Sequence, residues 1–308
     1  MRKLYICLLI AFLVVGGVMI YVNEEHASTV QILSFHQTYS RLITSENEDL
    51  TIPIFASSND SFLMDIDSVS SCMIYDDQNQ MVVAIKDVEQ KLDSTYFQGN
   101  TYYPYDLHIT FDVIQLNAIE FTDAYLQISY ENGDQIAFEI GSIYLYFESI
   151  QNEQHIDMMR LFSTVKHQED IEYISGIVIG IENRSMLDTQ IIEINSLIPN
   201  MQFDLEHAIY LIDVPTYDTD IDDIVGYSYS SIQTLTESGH IILEGNHLLY
   251  IPVAYKDNII SVNRFPLIIQ YTYLNEPYTY IIDDFLFYSS NNSLEVNHGQ
   301  IREYIYHY

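Results

Sequence analysis

Two stretches of the sequence repeat one pattern: "LQISYENGDQIAFEIGSIYLYF" at residues 126–147 and "LIIQYTYLNEPYTYIIDDFLFY" at residues 267–288. Aligned without a gap, the alternating apolar residues of the two stretches coincide. The matched pairs are Leu126 with Leu267, Ile128 with Ile269, and Tyr130 with Tyr271. Alternation with a period of two places such side chains on one face of a half-buried strand. The stretch therefore predicts β-structure, and its recurrence predicts two copies of one unit.

The first stretch predicts a β-hairpin that turns near Asn132 and Gly133. A two-residue loop would pair Tyr130 with Gln135 and would place the two apolar sets on opposite faces of the hairpin. A three-residue loop pairs Tyr130 with Ile136 and brings both sets to one core, because a one-residue slip moves every side chain to the other face. The sequence therefore predicts a bulged hairpin with a three-residue loop.

Further matched stretches occur upstream of each copy, in the same order. "LHITF" at 107–111 matches "LYIPV" at 249–253, and "LTIPIFASSND" at 50–60 resembles "ISGIVIGIENRS" at 174–185. A tandem duplication accounts for this order. We expect a first domain over residues 28–150 and a second domain over residues 151–290, followed by a C-terminal tail at 291–308. The tail is predicted to form a linker with a short terminal strand or a flexible tip.

Each copy contains several short strand-like runs separated by turn residues. In the first copy these runs lie at 30–35, 50–56, 72–85 and 107–113, ahead of the closing hairpin. Such a pattern predicts an all-β fold made of two tandem antiparallel β-sandwiches. Their size suits an immunoglobulin-like fold, although the cysteine and tryptophan landmarks of antibody domains are absent. Residues 157–168 fit either a short helix or the first strand of the second copy.

Residues 1–27 predict a membrane anchor. Residues 4–22 are uncharged and mostly apolar, Arg2 and Lys3 precede them, and two glutamates follow closely. A helix of this length spans about 28 Å, the thickness of one hydrocarbon core. The positive-inside rule then leaves the N-terminus in the cytoplasm and the rest of the chain outside a single-pass protein. A cleaved signal peptide is the alternative, and it would make the protein secreted.

The charge balance narrows the choice of partners. The chain of 308 residues has 44 acidic and 11 basic residues, for a formal net charge of −33. A surface this negative repels phosphate backbones and anionic lipid headgroups, so nucleic acid is excluded as a partner. Cations, basic proteins and neutral sugars remain compatible with it.

The cysteines predict no disulfide framework. Cys7 lies inside the first apolar run, which leaves Cys72 without an intrachain partner. Each domain must therefore be stabilised by its hydrophobic core alone. Cys72 is predicted to be a small buried residue on a strand, which is the common role of a lone cysteine.

One acidic segment is the candidate metal site. Asp218, Asp220, Asp222 and Asp223 provide closely spaced carboxylates of the kind that bind calcium. The helix-loop-helix calcium motif does not fit, because Asp223 stands where that motif needs glycine and Tyr229 where it needs glutamate. A solvated acidic loop is the alternative. Calcium is the only cofactor that the sequence suggests.

Tyrosine is over-represented, with 27 residues. Tyr130, Tyr144, Tyr271 and Tyr280 occupy alternating strand positions, which predicts half-buried rings with hydroxyls that reach water. The functional alternative is a tyrosine-rich face that recognises a protein or a sugar.

Motifs for catalysis are missing from the sequence. It has no glycine-rich phosphate loop and no Gly-x-Ser-x-Gly elbow, and none of its ten histidines forms a local zinc-binding spacing. We therefore expect no enzyme and no catalytic residues. The chain is predicted to be a membrane-anchored, extracytoplasmic structural or interaction protein that binds a protein partner at the cell surface. The alternative is a surface module that binds calcium or a cell-wall saccharide.

Overall fold

The computed structural model describes most of the chain outside its N-terminus. The described residues are 29–43, 49–58, 65–91, 93–111, 118–147, 155–184, 189–211, 241–243, 246–286, 294 and 298–307. The predicted anchor at 4–22 and the predicted calcium ligands Asp218, Asp220, Asp222 and Asp223 lie outside these ranges. Within these ranges, no helix is both long and apolar enough to cross a membrane.

The described chain is all-β, as predicted. It contains no α-helix in these residues, only strands and short 3-10 turns at Ile66–Ser68 and His298–Gln300. The strands are β1 (Thr29–Phe35), β2 (Gln37–Ile43), β3 (Asp49–Ala56), β4 (Val69–Tyr75), β5 (Gln80–Gln90), β6 (Thr95–Phe97), β7 (Asn100–Phe111), β8 (Ala118–Tyr130), β9 (Gln135–Phe147), β10 (Ile156–Gln168), β11 (Ile171–Asn183), β12 (Thr189–Asn195), β13 (Met201–Phe203), β14 (Ile209–Leu211), β15 (Ile241–Leu243), β16 (Asn246–Tyr255), β17 (Val262–Tyr273), β18 (Glu276–Leu286) and β19 (Ile301–His307).

The first unit, which we define as β1–β9 with β19, has two layers of strands around one core. One layer runs β19-β1-β3-β7 and the other runs β2-β9-β8-β4. Strand β5 joins the layers, because its first residues pair with β4 and its later residues pair with β7. Side chains from both layers form one buried cluster, which includes Ile52, Ile74, Leu107, Leu126 and Phe138.

The chain crosses from one layer to the other at His36. Strand β1 pairs antiparallel with β3, whereas β2 pairs parallel with β9. Gly141 of β9 lies opposite Gln37 with a φ of +93°, and a Cβ atom there would lie 2.9 Å from the Gln37 carbonyl carbon. The crossing therefore requires glycine at position 141, both for its backbone conformation and for its size.

The second unit, which we define as β10–β18, also has two layers. One contains β10-β11-β16, with β13 and β14 paired to β16, and the other contains β15-β12-β17 with β18 paired to β17. Their buried cluster includes Ile177, Ile194, Leu249 and Leu267. Residues 157–168, for which the sequence left helix and strand open, lie in strand β10.

Equivalent strand pairs recur in the two units. The pairs β3–β7, β4–β8 and β8–β9 of the first unit correspond to β11–β16, β12–β17 and β17–β18 of the second. The matched stretches 107–111 and 249–253 lie in the corresponding strands β7 and β16. The repeated sequence thus specifies a repeated pairing scheme.

The first hairpin has a three-residue loop, but its register differs from the prediction. Ile136 pairs with Ile128, so the predicted pairing with Tyr130 is wrong. The loop is 131–133, and Gly133 closes it with a φ of +93°. A left-handed residue is needed at the third loop position of this turn, and glycine adopts that conformation without strain. The position of Gly133 therefore moves the loop one residue earlier, and both apolar sets still face one core.

Strand β19, in the predicted tail at 291–308, returns to the first unit. It pairs antiparallel with β1 over seven residues, from His307 opposite Thr29 to Ile301 opposite Phe35. The last strand that the structure describes therefore pairs with the first one and extends its layer.

Two tyrosines of β19 also form hydrogen bonds with the backbone of strand β9. The Glu139 N–H donates to the Tyr304 hydroxyl at 2.8 Å, and the Ala137 N–H donates to the Tyr306 hydroxyl at 3.2 Å. The Tyr306 hydroxyl in turn donates to the Ala137 carbonyl at 2.6 Å. Because β2 pairs with β9 only from Gly141 onward, these hydroxyls satisfy backbone groups that β2 does not reach.

Candidate functional site

The two units meet through backbone pairing. Strand β2 runs parallel to the start of β17, and the Thr38 N–H donates to the Ser261 carbonyl at 2.8 Å. Beside this bond, the Asn263 amide donates to the Gln37 amide oxygen at 2.8 Å, and both side chains are buried. A sheet of the first unit therefore continues into a sheet of the second.

Apolar packing accompanies this pairing. Leu42 of β2 forms a buried cluster with Ile268 and Ile281 of the second unit, against the partly buried Tyr146 and Leu197. Removing such side chains from water stabilises the contact by about 25 cal/mol for each Å² of apolar surface buried. Polar and apolar contacts therefore both join the two units at this junction.

An open groove of about 740 Å³ lies beside this junction. Its walls come mostly from the second unit, around the end of β12 and the start of β13, and Tyr146 contributes from the first unit. The groove is therefore complete only when the two units are in contact.

The backbone of one wall is held in place by short polar contacts. The Asn195 side-chain oxygen accepts the Leu197 N–H at 2.7 Å, and Leu197 has a φ of +59°. The Tyr146 hydroxyl of the first unit donates to the Leu197 carbonyl at 3.1 Å. A residue other than glycine is strained in this left-handed conformation, so the contacts from Asn195 and Tyr146 stabilise an otherwise unfavourable turn.

The groove carries carboxylates and a lysine. Glu193 and Glu206 are exposed, Asp204 is partly buried, and Lys256 supplies a positive charge. The Asp204 carboxylate also accepts the His207 N–H at 3.1 Å. On a chain of net charge −33, such a site attracts cationic side chains and repels anionic ligands.

Cys72 has the structural role that the sequence predicts. It lies in β4 and is 3% exposed. Burial raises the pKa of its thiol to about 12, so almost none of it is the reactive thiolate near neutral pH. Cys72 therefore contributes to packing in the core of the first unit.

The tyrosines follow the predicted pattern only in part. Tyr144 and Tyr280 are half-buried, but Tyr130 and Tyr271 are 4% and 0% exposed, so the prediction that their hydroxyls reach water is wrong. Their strands β8 and β17 lie inside layers that are covered by the facing layer. Burial raises the pKa of Tyr130 well above its ordinary value.

The structure brings together three ionisable residues that could not be recognised as a cluster from the sequence. The potential ligand atoms of His36, Asp123 and Glu139 all lie within 4.8 Å of one another. His36 and Glu139 are separated by 103 positions in the chain. No local spacing motif exists for such a set, because strand pairing alone brings the three residues together.

Comparisons with known proteins leave the family open. No family model matches the chain, and no curated protein matches it. Among solved structures, the chain is similar to the Streptococcus agalactiae AgI/II polypeptide BspA C-terminal domain (8% identity, 80% of this chain and 96% of that chain covered, TM-score 0.19). It is also similar to the D00-D0 domain of intimin (7% identity, 84% and 100% covered, TM-score 0.17) and to Rst D1-D2 (9% identity, 83% and 98% covered, TM-score 0.19).

Proposed function

We propose that the chain is a membrane-anchored, extracytoplasmic structural or interaction protein that binds a protein partner at the cell surface. Its two units are tandem immunoglobulin-like β-sandwiches, at 28–150 and 151–290, and the tail at 291–308 returns to the first. The repeated strand pairs and the two separate cores support this organisation. Display outside the membrane follows from the apolar run at 4–22 and the charges that flank it.

The groove at the junction of the two units is the strongest support for a binding role. Both units contribute to this concave surface, with Tyr146 from β9 and residues of β12 and β13 from the second unit. Concave sites between units are common binding positions, because several segments can present side chains to one ligand. The partner's segment would lie between the end of β12 and the start of β13.

The negative charge of the groove indicates which kind of protein segment can bind there. Glu193, Asp204 and Glu206 exceed the single positive charge of Lys256 among these lining residues. We infer a protein segment that carries lysine or arginine. Complementary charge speeds encounter with such a segment and disfavours acidic competitors. The anchor adds to this effect, since confinement to the membrane raises the concentration of the groove near any membrane partner.

A photo-crosslinking amino acid at Ile192 tests the proposal in intact membranes. Ile192 lines the groove and is 38% exposed, so its replacement should not disturb the core. We expect one discrete protein adduct from this position. The double variant Glu193→Lys with Glu206→Lys should reduce that adduct by about tenfold, because each added lysine repels a basic partner.

The matched control changes the net charge by the same amount elsewhere. Glu131 and Glu276 are exposed and lie at the tips of the two hairpins, so Glu131→Lys with Glu276→Lys should leave the adduct unchanged. Equal loss in both double variants would mean that only the overall charge matters. If no protein adduct forms and the protein is instead retained on purified wall glycan, the saccharide alternative replaces this proposal.

A further inference from the structure

We propose that His36, Asp123 and Glu139 form a binding site for one divalent transition-metal ion such as zinc. Their potential ligand atoms lie within 4.8 Å of one another. An imidazole nitrogen with two carboxylates suits zinc and its neighbours, whereas calcium and magnesium prefer sites made only of oxygen. A water molecule would complete the usual four ligands of zinc.

The backbone presents each ligand at an irregular point of a strand. His36 occupies the break between β1 and β2, where the chain crosses between layers. Asp123 has a φ of +50° and lies where β8 bulges against β9, so the bulge directs its side chain toward His36. Glu139 lies on β9, and its side chain is 14% exposed.

His36 lies between the two carboxylates, so each of its ring nitrogens faces one of them. One ion binds one of these nitrogens, and the 70% exposed Asp123 side chain must rotate to supply its carboxylate on the Glu139 side. The His36 Nδ1 atom contacts one Glu139 carboxylate oxygen, and the His36 Nε2 atom lies 3.6 Å from the Asp123 carboxylate. Arg302 of β19 contacts the second Glu139 oxygen at 3.3 Å. A hydrogen bond to the outer oxygen of a ligating carboxylate orients it in many metal sites. Arg302 therefore holds the first oxygen of Glu139 toward His36.

The charges of the cluster also favour a cation. Two carboxylates face one guanidinium, which leaves one negative charge between them for an incoming divalent ion. The acidity of the whole chain raises the local concentration of cations further. Because Arg302 belongs to β19, bound metal would also strengthen the attachment of the last strand to the first unit.

Zinc chloride titrated into the purified full-length protein tests the site. We expect one equivalent to bind, with a rise in the melting temperature of several degrees, because a ligand that binds only the folded state stabilises it. Asp123→Asn should abolish both effects while preserving the fold, since asparagine tolerates the left-handed backbone. His36→Gln should do the same, because glutamine keeps a polar contact with Glu139 and removes the imidazole.

The contact between the exposed His207 and the Asp204 carboxylate provides the matched control. His207 contacts the Asp204 carboxylate at 2.7 Å, and no third ligand joins them in the part of the chain that the structure describes. His207→Gln should therefore bind zinc as the native protein does. Zinc binding that is unchanged in Asp123→Asn, or absent from the native protein, would overturn the proposal and leave the cluster as an ion-pair network. A calcium-induced shift that matches the zinc shift and disappears in Asp123→Asn would overturn the assignment to a transition metal.

Discussion

Replacing Gly141 with alanine is expected to lower the free energy of unfolding by about 3 kcal/mol, which is large for a single methyl group. Gly141 has a φ of +93°, and an added Cβ would lie 2.5 Å from the Gln37 nitrogen and 2.9 Å from its carbonyl carbon. Both atoms belong to backbone that pairs with β9 and cannot rotate away. The substitution therefore separates β2 from β9 or distorts the crossing at His36.

Urea unfolding of the full-length protein, followed by circular dichroism, measures this effect. Gly99→Ala is the control, because Gly99 has a φ of +92° but a Cβ there would meet nothing within 4 Å. It should cost only the conformational penalty of about 1 kcal/mol. Equal losses in the two variants would show that the close approach of Gln37 to Gly141 is not part of the folded state.

Removing β19 by deleting residues 298–308 is expected to have the largest effect. The deletion exposes the edge of β1 along seven paired residues and removes Tyr304 and Tyr306 from β9. Each buried backbone group left without a partner costs roughly 1–3 kcal/mol. We therefore expect a loss on the order of 5 kcal/mol, located in the first unit.

Scanning calorimetry and limited proteolysis of the full-length and shortened proteins test this loss. Early cleavage should fall in β1 and β9 and leave β11 and β16 intact. The double variant Tyr304→Phe with Tyr306→Phe separates the contributions, because it removes the hydroxyl partners of Ala137 and Glu139 and keeps the rings. The double variant should lose less of the free energy of unfolding than the shortened protein does, because β19 still pairs with β1. Identical melting of shortened and native proteins would contradict the pairing of β19 with β1.

The local sequence predicts much of the fold, because strand alternation and turn chemistry are local properties. Leu126, Ile128 and Tyr130 alternate with polar residues, and their repetition in β17 reflects a repeated pairing scheme. The error in the hairpin register has a local cause as well. Gly133 is required at the left-handed position of the loop, and that requirement outweighs the pairing that the apolar residues alone suggest.

The contacts between distant segments could not be predicted in this way. The pairing of β19 with β1 joins the two ends of the described chain, and no periodicity specifies it. The groove depends on the meeting of Tyr146 with Leu197, and the cluster at His36 depends on a bulge at Asp123. These features arise from packing between distant segments, so a single sequence gives no signal for them.

The two units are expected to form one rigid body through the pairing of β2 with β17. Spin labels at Val82 of the first unit and Met159 of the second, which are 69% and 59% exposed, measure this directly. In a Cys7→Ser background the buried Cys72 stays unlabelled. Pulsed dipolar spectroscopy of the full-length protein should give one narrow distance distribution, which broadens in Asn263→Ala. A broad distribution in the native protein would contradict a rigid junction between the two units.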